Sequence, residues 1–132
     1  MEIKDGLYFR VHLGKFTVLK YAHKRQPKNF YLHIQEVHEA MRNCEGVLYA
    51  ELFHINRRYV FAQARASGRP LKELDRQSYD LEALETWKDE IRKHAEVRGY
   101  KARDLGQKNI LYDQHTATFF LVDVHSFTKF KK

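Results

Sequence analysis

The segment from Asp80 to Gly99 constrains the fold of this chain more than any other. Its apolar residues recur at helical spacing and lie on one stripe, formed by Leu81, Leu84, Trp87, Ile91 and Ala95. Asp80 is a suitable N-cap, and Gly99 is suited to the left-handed conformation that ends many helices. The sequence therefore predicts one long amphipathic helix, and the short apolar runs "NILYD" and "TFFLVDV" predict a β-hairpin packed under it.

The chain before residue 67 has a pattern typical of strands. Alternating aromatic and β-branched residues in "GLYFRVHL" and "FTVLKYA" predict a hairpin with its turn at "GK". Next, "NFYLHIQEVHEAMRN" predicts a helix capped by Asn29, with Ile34, Val37 and Met41 on its apolar side. Two further strands, "GVLYAELF" and "RRYVFAQA", are joined by "HINR". The expected order of this part is β-β-α-β-β.

Length and composition favour one compact α+β domain. The 132 residues, 43% of them apolar, are enough to bury a sizeable core in a single domain. We expect one domain over 1–132, with a strand-rich part (1–66) and a part led by the long helix (67–132). The single cysteine, Cys44, excludes an internal disulfide framework and a Cys-rich zinc cluster.

The net charge of +7 is compatible with polyanionic partners such as nucleic acid, anionic membrane, acidic protein or nucleotide phosphates. Isolated basic triplets are common on soluble domains, so most of this charge is expected to be solvated surface. Strand aromatics such as Phe119 are more often core than a stacking platform, which makes nucleic acid the least favoured partner. The N-terminus is unlike a secretory leader and no run approaches a membrane span, so the expected location is the cytoplasm.

One group of polar residues is placed for chemistry. Asp104 and Asn109 stand five positions apart in the loop after the long helix, and Asp123 ends the last predicted strand. Phosphoryl transfer needs a carboxylate that accepts the proton of the attacking hydroxyl, together with oxygen ligands that hold Mg²⁺ against the phosphates. A zinc hydrolase is not favoured, because "HEAMR" has Arg42 where H-E-x-x-H needs its second histidine.

These residues carry a resemblance to a known family. "ARDLGQKNIL" resembles the catalytic loop of protein kinases, H-R-D-L-x-x-x-N, and Gly99 precedes Asp104 at the spacing seen in that family. "FFLVDVH" resembles the strand that leads to D-F-G. The resemblance implies that Asp104 is the catalytic base, that Asn109 and Asp123 are metal ligands, and that ATP and Mg²⁺ are the cofactors.

The resemblance extends more weakly to the first part of the chain. "FTVLKYA" is similar to the V-A-I-K strand, which implies that Lys20 contacts the nucleotide phosphates. "FYLHIQEVHEAM" is similar to the following helix, which implies that Glu36 pairs with Lys20, with Glu39 as a close rival. Of the Gly-rich loop only Gly6 is left as a cofactor contact, and the expected N-terminal lobe lacks its first strand.

The departures from the family lead to alternative functions. Ala102 replaces the catalytic-loop histidine, His125 replaces the glycine of D-F-G, and the sequence ends nine residues after Asp123. The expected fold is therefore a truncated kinase-like one with a reduced C-terminal lobe. A protein partner that docks on the apolar surface which the absent helices would have covered would then supply substrate recognition or activation, or the chain would self-associate over that surface. The function that the resemblance implies is transfer of the γ-phosphoryl group of ATP to a Ser or Thr hydroxyl of a protein. The first alternative is a pseudokinase-like module that regulates or inhibits a partner protein, and the second is a basic nucleic-acid-binding protein.

Overall fold

The computed structural model describes the backbone of residues 2–5 and the whole of residues 9–130. These residues form two compact units, which are described separately. The first, unit 1, comprises Met1–Glu39 and Tyr49–Arg65, and the second, unit 2, comprises Ala40–Leu48 and Ala66–Lys132. No helix among the described residues has the length and apolar character that crossing a membrane requires.

The described part of unit 1 contains an antiparallel sheet in the order β1-β2-β3-β5-β4. Its strands are β1 (Glu2–Asp5), β2 (Phe9–Leu13), β3 (Thr17–Ala22), β4 (Ala50–Ile55) and β5 (Arg58–Ala64). The predicted hairpin is confirmed as β2 and β3. The expectation of a missing first strand is wrong, because β1 pairs with β2 from Glu2 opposite Leu13 to Asp5 opposite Arg10.

The turn between β4 and β5 is tighter than the sequence predicts. His54 and Ile55 belong to β4, so only Asn56 and Arg57 connect the two strands. Both have positive φ, 49° and 64°. Two left-handed residues in a two-residue loop match the right-handed twist of the flanking strands. The polar segment "HINR" is therefore half strand and half turn.

The helix of unit 1, α1 (Lys28–Ala40), covers one face of this sheet. It begins before Asn29, so the prediction that Asn29 caps it is wrong. The predicted apolar side is confirmed at Ile34 and Val37, which are buried, whereas Met41 is buried but follows the end of α1. The core between helix and sheet is a cluster of buried residues: Phe9, Tyr31, Ile34, Ala50 and Phe61.

Unit 2 is led by α2 (Leu81–Val97), which confirms the predicted long helix. The Asp80 carboxylate accepts hydrogen bonds from the backbone N–H of Glu82 at 2.9 Å and of Ala83 at 3.2 Å, which satisfies two donors of the first turn. Gly99 follows the helix with a φ of 86°. The stripe is buried at Leu84, Ile91 and Ala95, but the prediction fails at Leu81, whose side chain in the first turn is 53% exposed.

Five short strands in the described part of unit 2, one before α2 and four after it, position the loop of interest. They are β6 (Arg69–Pro70), β7 (Tyr100–Lys101), β8 (Ile110–Asp113), β9 (Thr118–Leu121) and β10 (Thr128–Lys129). The predicted hairpin is confirmed as β8 and β9, with Ile110 opposite Leu121. β6 pairs with the free side of β8, and β10 returns to pair with β7. The loop between β7 and β8 is thus bounded by paired strands at both ends.

Candidate functional site

The loop between β7 and β8 holds Asp104 in a left-handed conformation, with a φ of 59°. Asp and Asn tolerate this region better than other non-glycine residues, whereas a β-branched residue does not. The side chain is exposed, and its carboxylate accepts no hydrogen bond from the residues that the structure describes. The geometry therefore presents an ionisable oxygen pair to solvent at a fixed backbone position.

Asn109 is the residue that fixes this loop. Its side-chain N–H donates to the backbone carbonyl of Asp104 at 3.0 Å. Its backbone N–H donates to the carbonyl of Gly106 at 3.1 Å, and its own carbonyl accepts from the N–H of Val122 at 3.1 Å. Within the described residues the side-chain oxygen of Asn109 accepts no hydrogen bond. That oxygen is chemically suited to a hard cation.

At the end of the β8–β9 hairpin, the segment that contains Asp123 is hydrogen-bonded through its backbone to Asn109. Val122, which bonds to Asn109, is the residue before Asp123. The carboxylate of Asp123 accepts a hydrogen bond from the backbone N–H of His125 at 3.0 Å, and the same oxygen, Oδ1, contacts Nδ1 of the His125 ring. The side chain of Asp123 is 25% exposed and that of His125 is 16% exposed. The sequence identified Asp123, but it gave His125 no role in the site.

Further contacts anchor the loop from outside. Leu105, next to Asp104, is buried. The N–H of Lys72 donates to the carbonyl of Gln107 at 3.3 Å, and the Arg103 guanidinium donates to the hydroxyl of Thr128 at 3.1 Å. The loop is therefore held by an apolar side chain and by hydrogen bonds from two separate segments.

In unit 1 the structure places Lys20 and Glu36 on neighbouring elements. Lys20 on β3 is paired with Phe61 on β5, and paired residues of a sheet share a face. Phe61 packs in the core that α1 covers, so Lys20 projects from the face that carries α1. Glu36 is an exposed residue of α1. Both residues take part in interactions within the described structure.

The rival of Glu36, Glu39, belongs to a different network. Its carboxylate accepts hydrogen bonds from the Tyr49 hydroxyl at 2.5 Å and from the Gln35 side-chain amide at 3.1 Å. The Gln35 oxygen in turn accepts from the backbone N–H of Leu52 on β4 at 2.7 Å. This network ties the second half of α1 to the edge of the sheet, so Glu39 has a structural role there.

A shallow apolar groove of about 640 Å³ lies on the opposite face of the unit 1 sheet. Successive residues of a strand point to opposite faces, so Leu19 in the groove and Lys20 are on different sides. The groove is lined by Leu19, Phe53, Ile55, Asn56, Arg58, Val60 and Ala62. Phe53 is 42% exposed and Ile55 is 55% exposed. Sequence reasoning missed this surface, because the same alternation fits a buried face.

The donor set of unit 2 fits a hard divalent cation. A carboxylate and an amide oxygen, from Asp123 and Asn109, are the ligand types that Mg²⁺ prefers. Among the described residues there is no cluster of three or more His, Cys, Asp or Glu side chains that could hold a metal by themselves. A cation at this place would thus need further oxygens, which water or nucleotide phosphates provide. Gly6, the remaining predicted cofactor contact, lies outside the described residues.

Comparisons with known proteins bear on the fold. No protein-family model matches the chain, and no curated protein matches its sequence. Among solved structures, the PK-1 kinase of Cydia pomonella granulovirus superposes on 98% of this chain with a TM-score of 0.74 and 16% identity. Two structures of WbdD, one of them with the kinase inhibitor LY294002, give TM-scores of 0.67 and 0.63 at 14% and 16% identity, over 99% and 98% of this chain.

This chain spans about half of the viral kinase chain, 54%, and about a third of the WbdD chains, 33%. Identities this low show the fold alone. The predicted fold class is confirmed: the antiparallel sheet with α1, the long helix, the Asp104 loop and the hairpin match part of a kinase-like fold. The chain is therefore an α+β protein with a kinase-like fold.

Proposed function

We propose that this chain binds ATP with Mg²⁺ and transfers the γ-phosphoryl group to a Ser or Thr hydroxyl of a protein. The observation that carries the proposal is the arrangement of Asp104, Asn109 and Asp123 at adjoining loop and strand ends. Asp104 offers an exposed carboxylate, and Asn109 and Asp123 offer oxygens of the types that bind a hard cation. Phosphoryl transfer requires both kinds of group, one to accept the proton of the attacking hydroxyl and others to hold the cation against the phosphates.

Each residue has a distinct role in this proposal. Asp104 orients the attacking hydroxyl and accepts its proton, and the loop holds its backbone in one conformation. Asn109 and Asp123 hold the cation, which when bound neutralises charge on the phosphates. Lys20 contacts the phosphates and Glu36 orients it. The resemblance assigns this role to Glu36, and Glu39, whose carboxylate bonds to Tyr49 and Gln35, is its rival.

Thermal melts with ATP test the nucleotide site. A ligand at a hundred times its Kd stabilises a protein by about 2.7 kcal/mol. We expect ATP with Mg²⁺ to raise the melting temperature of the wild type, and ATP without Mg²⁺ to raise it less. In Asp123→Asn, Mg²⁺ is expected to add nothing to the rise in melting temperature that ATP alone produces. The matched control is Asp75→Asn, because Asp75 is exposed and its side chain makes no capping hydrogen bond.

Transfer from labelled ATP to a protein substrate or to the chain itself tests the chemistry. Asp104→Asn keeps a residue that tolerates positive φ and removes the base. It should abolish transfer while the Mg²⁺-dependent melting shift remains. If ATP raises the melting temperature of the wild type but no phosphoryl transfer is detected, the chain binds nucleotide without being an enzyme. If ATP does not raise the melting temperature, the proposed nucleotide site is wrong.

A second candidate function is favoured by the apolar groove on the unit 1 sheet. Exposed clusters of large apolar side chains commonly mark protein interaction sites. On this reading the chain is a pseudokinase-like module that regulates a partner protein, or it self-associates through the groove. Sedimentation over a range of protein concentrations tests self-association. Ile55→Thr should abolish it, while Val97→Thr, an exposed substitution on α2, should not.

A further inference from the structure

The pair formed by Asp123 and His125 carries an inference that rests on the proposed function and extends it. Oδ1 of Asp123 accepts the backbone N–H of His125 and also contacts Nδ1 of its ring. The backbone bond closes a short turn that brings the ring back over the carboxylate. A nitrogen and an oxygen donor thus lie side by side, only partly shielded from solvent.

The spacing alone does not produce this arrangement. Asp113 and His115 also stand two apart, and Oδ1 of Asp113 accepts the backbone N–H of His115 at 2.9 Å. At that turn, however, the other carboxylate oxygen accepts the Ser67 hydroxyl. The His115 ring is exposed, and among the described residues it makes no hydrogen bond to the carboxylate. The contact at Asp123 therefore depends on the tertiary surroundings of His125.

The two donors differ from the set that suits Mg²⁺. Mg²⁺ is bound almost entirely by oxygen, and it gives up its water reluctantly. Imidazole nitrogen is a good ligand for the later first-row divalent cations, whose affinity for a nitrogen-containing site rises from Mn²⁺ through Co²⁺. A cation that displaced the proton between Nδ1 and Oδ1 would be bound by both donors once the two atoms had moved apart to make room for it. Asn109 directly precedes β8, and its backbone carbonyl accepts a hydrogen bond from Val122, the residue before Asp123.

We propose that His125 is a metal ligand beside Asp123, so that the cation site of this chain prefers a borderline first-row divalent cation to Mg²⁺. In this arrangement His125 selects the cation, and Asn109 and Asp123 supply the oxygens. His125, which stands where D-F-G has its flexible glycine, would thereby give the site a nitrogen donor.

Cobalt binding to the full chain, without nucleotide, tests the proposal by a readout that does not depend on activity. Co²⁺ has visible absorption bands whose position and intensity report nitrogen ligation. We expect Co²⁺ to bind more tightly than Mg²⁺ by roughly tenfold or more, measured by competition. The key variant is His125→Asn, because asparagine can place a hydrogen-bond donor near the position of Nδ1 but has no ligating nitrogen.

The expected result is that His125→Asn and Asp123→Asn lose Co²⁺ binding, while the matched control His115→Asn retains it. Equal Co²⁺ binding by wild type and His125→Asn would overturn the proposal, as would Co²⁺ binding no tighter than Mg²⁺ binding. Mg²⁺-dependent stabilisation by ATP in a chain without a Co²⁺ site would overturn the role of His125 and leave the nucleotide function standing. If the wild type neither binds Co²⁺ nor is stabilised by ATP with Mg²⁺, both the role of His125 and the proposed nucleotide function are wrong.

Discussion

The side-chain amide of Asn109 donates a hydrogen bond to the backbone carbonyl of Asp104 at 3.0 Å, across a loop in which Asp104 has a φ of 59°. This bond joins the start of β8 to the residue proposed as the base. The separation of five positions allows the side chain of Asn109, directly before β8, to bond to the carbonyl of Asp104 across the loop. The bond uses only the side-chain nitrogen of Asn109, so the side-chain oxygen remains available to a cation.

Asn109→Ala should destabilise the chain by about 1 kcal/mol, because it removes one hydrogen bond and leaves the Asp104 carbonyl without that donor. Urea unfolding measures this change. Asn43→Ala, at an exposed turn position, is the control and should shift stability by less than about 0.5 kcal/mol. Equal effects of the two substitutions would show that the Asn109 bond does not stabilise the loop.

Asp104→Val should cost about 1–2 kcal/mol more than Asp104→Asn, because a β-branched residue is disfavoured at positive φ. Asp104→Gly should be as stable as Asp104→Asn or more so. The three variants are compared by their urea midpoints. If valine were tolerated as well as asparagine, the loop would not hold this residue in the left-handed region.

Gly68→Ala should be far more damaging than Gly99→Ala. Both glycines have positive φ, 104° and 86°. A Cβ at Gly68 would lie 2.5 Å from the carbonyl oxygen of Tyr112, whereas one at Gly99 would meet no atom within 4 Å. Gly99→Ala should therefore cost only the backbone strain, about 1–2 kcal/mol. Circular dichroism and urea unfolding distinguish the two, and equal losses would contradict the close approach at Gly68.

Acid should weaken the fold through Asp113. The Ser67 hydroxyl, and then the His115 backbone N–H, lower the pKa of this carboxyl below its usual value. The unfolded chain then takes up the proton first, so the stabilisation is present above the unfolded pKa of about 3.9 and is lost as pH falls through the lower folded pKa. Urea midpoints measured from neutral to acidic pH should fall less in Ser67→Ala than in the wild type. Identical pH profiles would contradict this contribution.

The Cys44 thiol should react slowly with a disulfide reagent at neutral pH. Burial raises its pKa, so little of the reactive thiolate is present. Unfolding in urea should speed the reaction, once the intrinsic effect of urea is corrected with a small thiol. A reaction in the native state as fast as in the unfolded state would contradict the effect of burial.

The sequence predicted the elements whose signals are local. Asp80 and the stripe of α2 were identified because a cap and a helix face depend on residues at most four positions apart. The hairpin of β8 and β9 was identified from two apolar runs and a polar turn. The first strand was missed, because Glu2–Asp5 has a polar pattern and becomes a strand only through pairing with β2. Asn29 was misassigned because the helix begins at Lys28, two residues before the first helical residue that an Asn29 cap predicts.

The sequence by itself determined which residues stand in the Asp104 loop and how far apart they are, since spacing along the chain is a local property. The tertiary structure decided what these residues contact. The network at Glu39 depends on Tyr49 and on the edge strand β4, and the different surroundings of His115 and His125 follow from separate packing. Such contacts join segments distant in sequence, and the energy that forms them comes from pairing and burial that no short pattern contains.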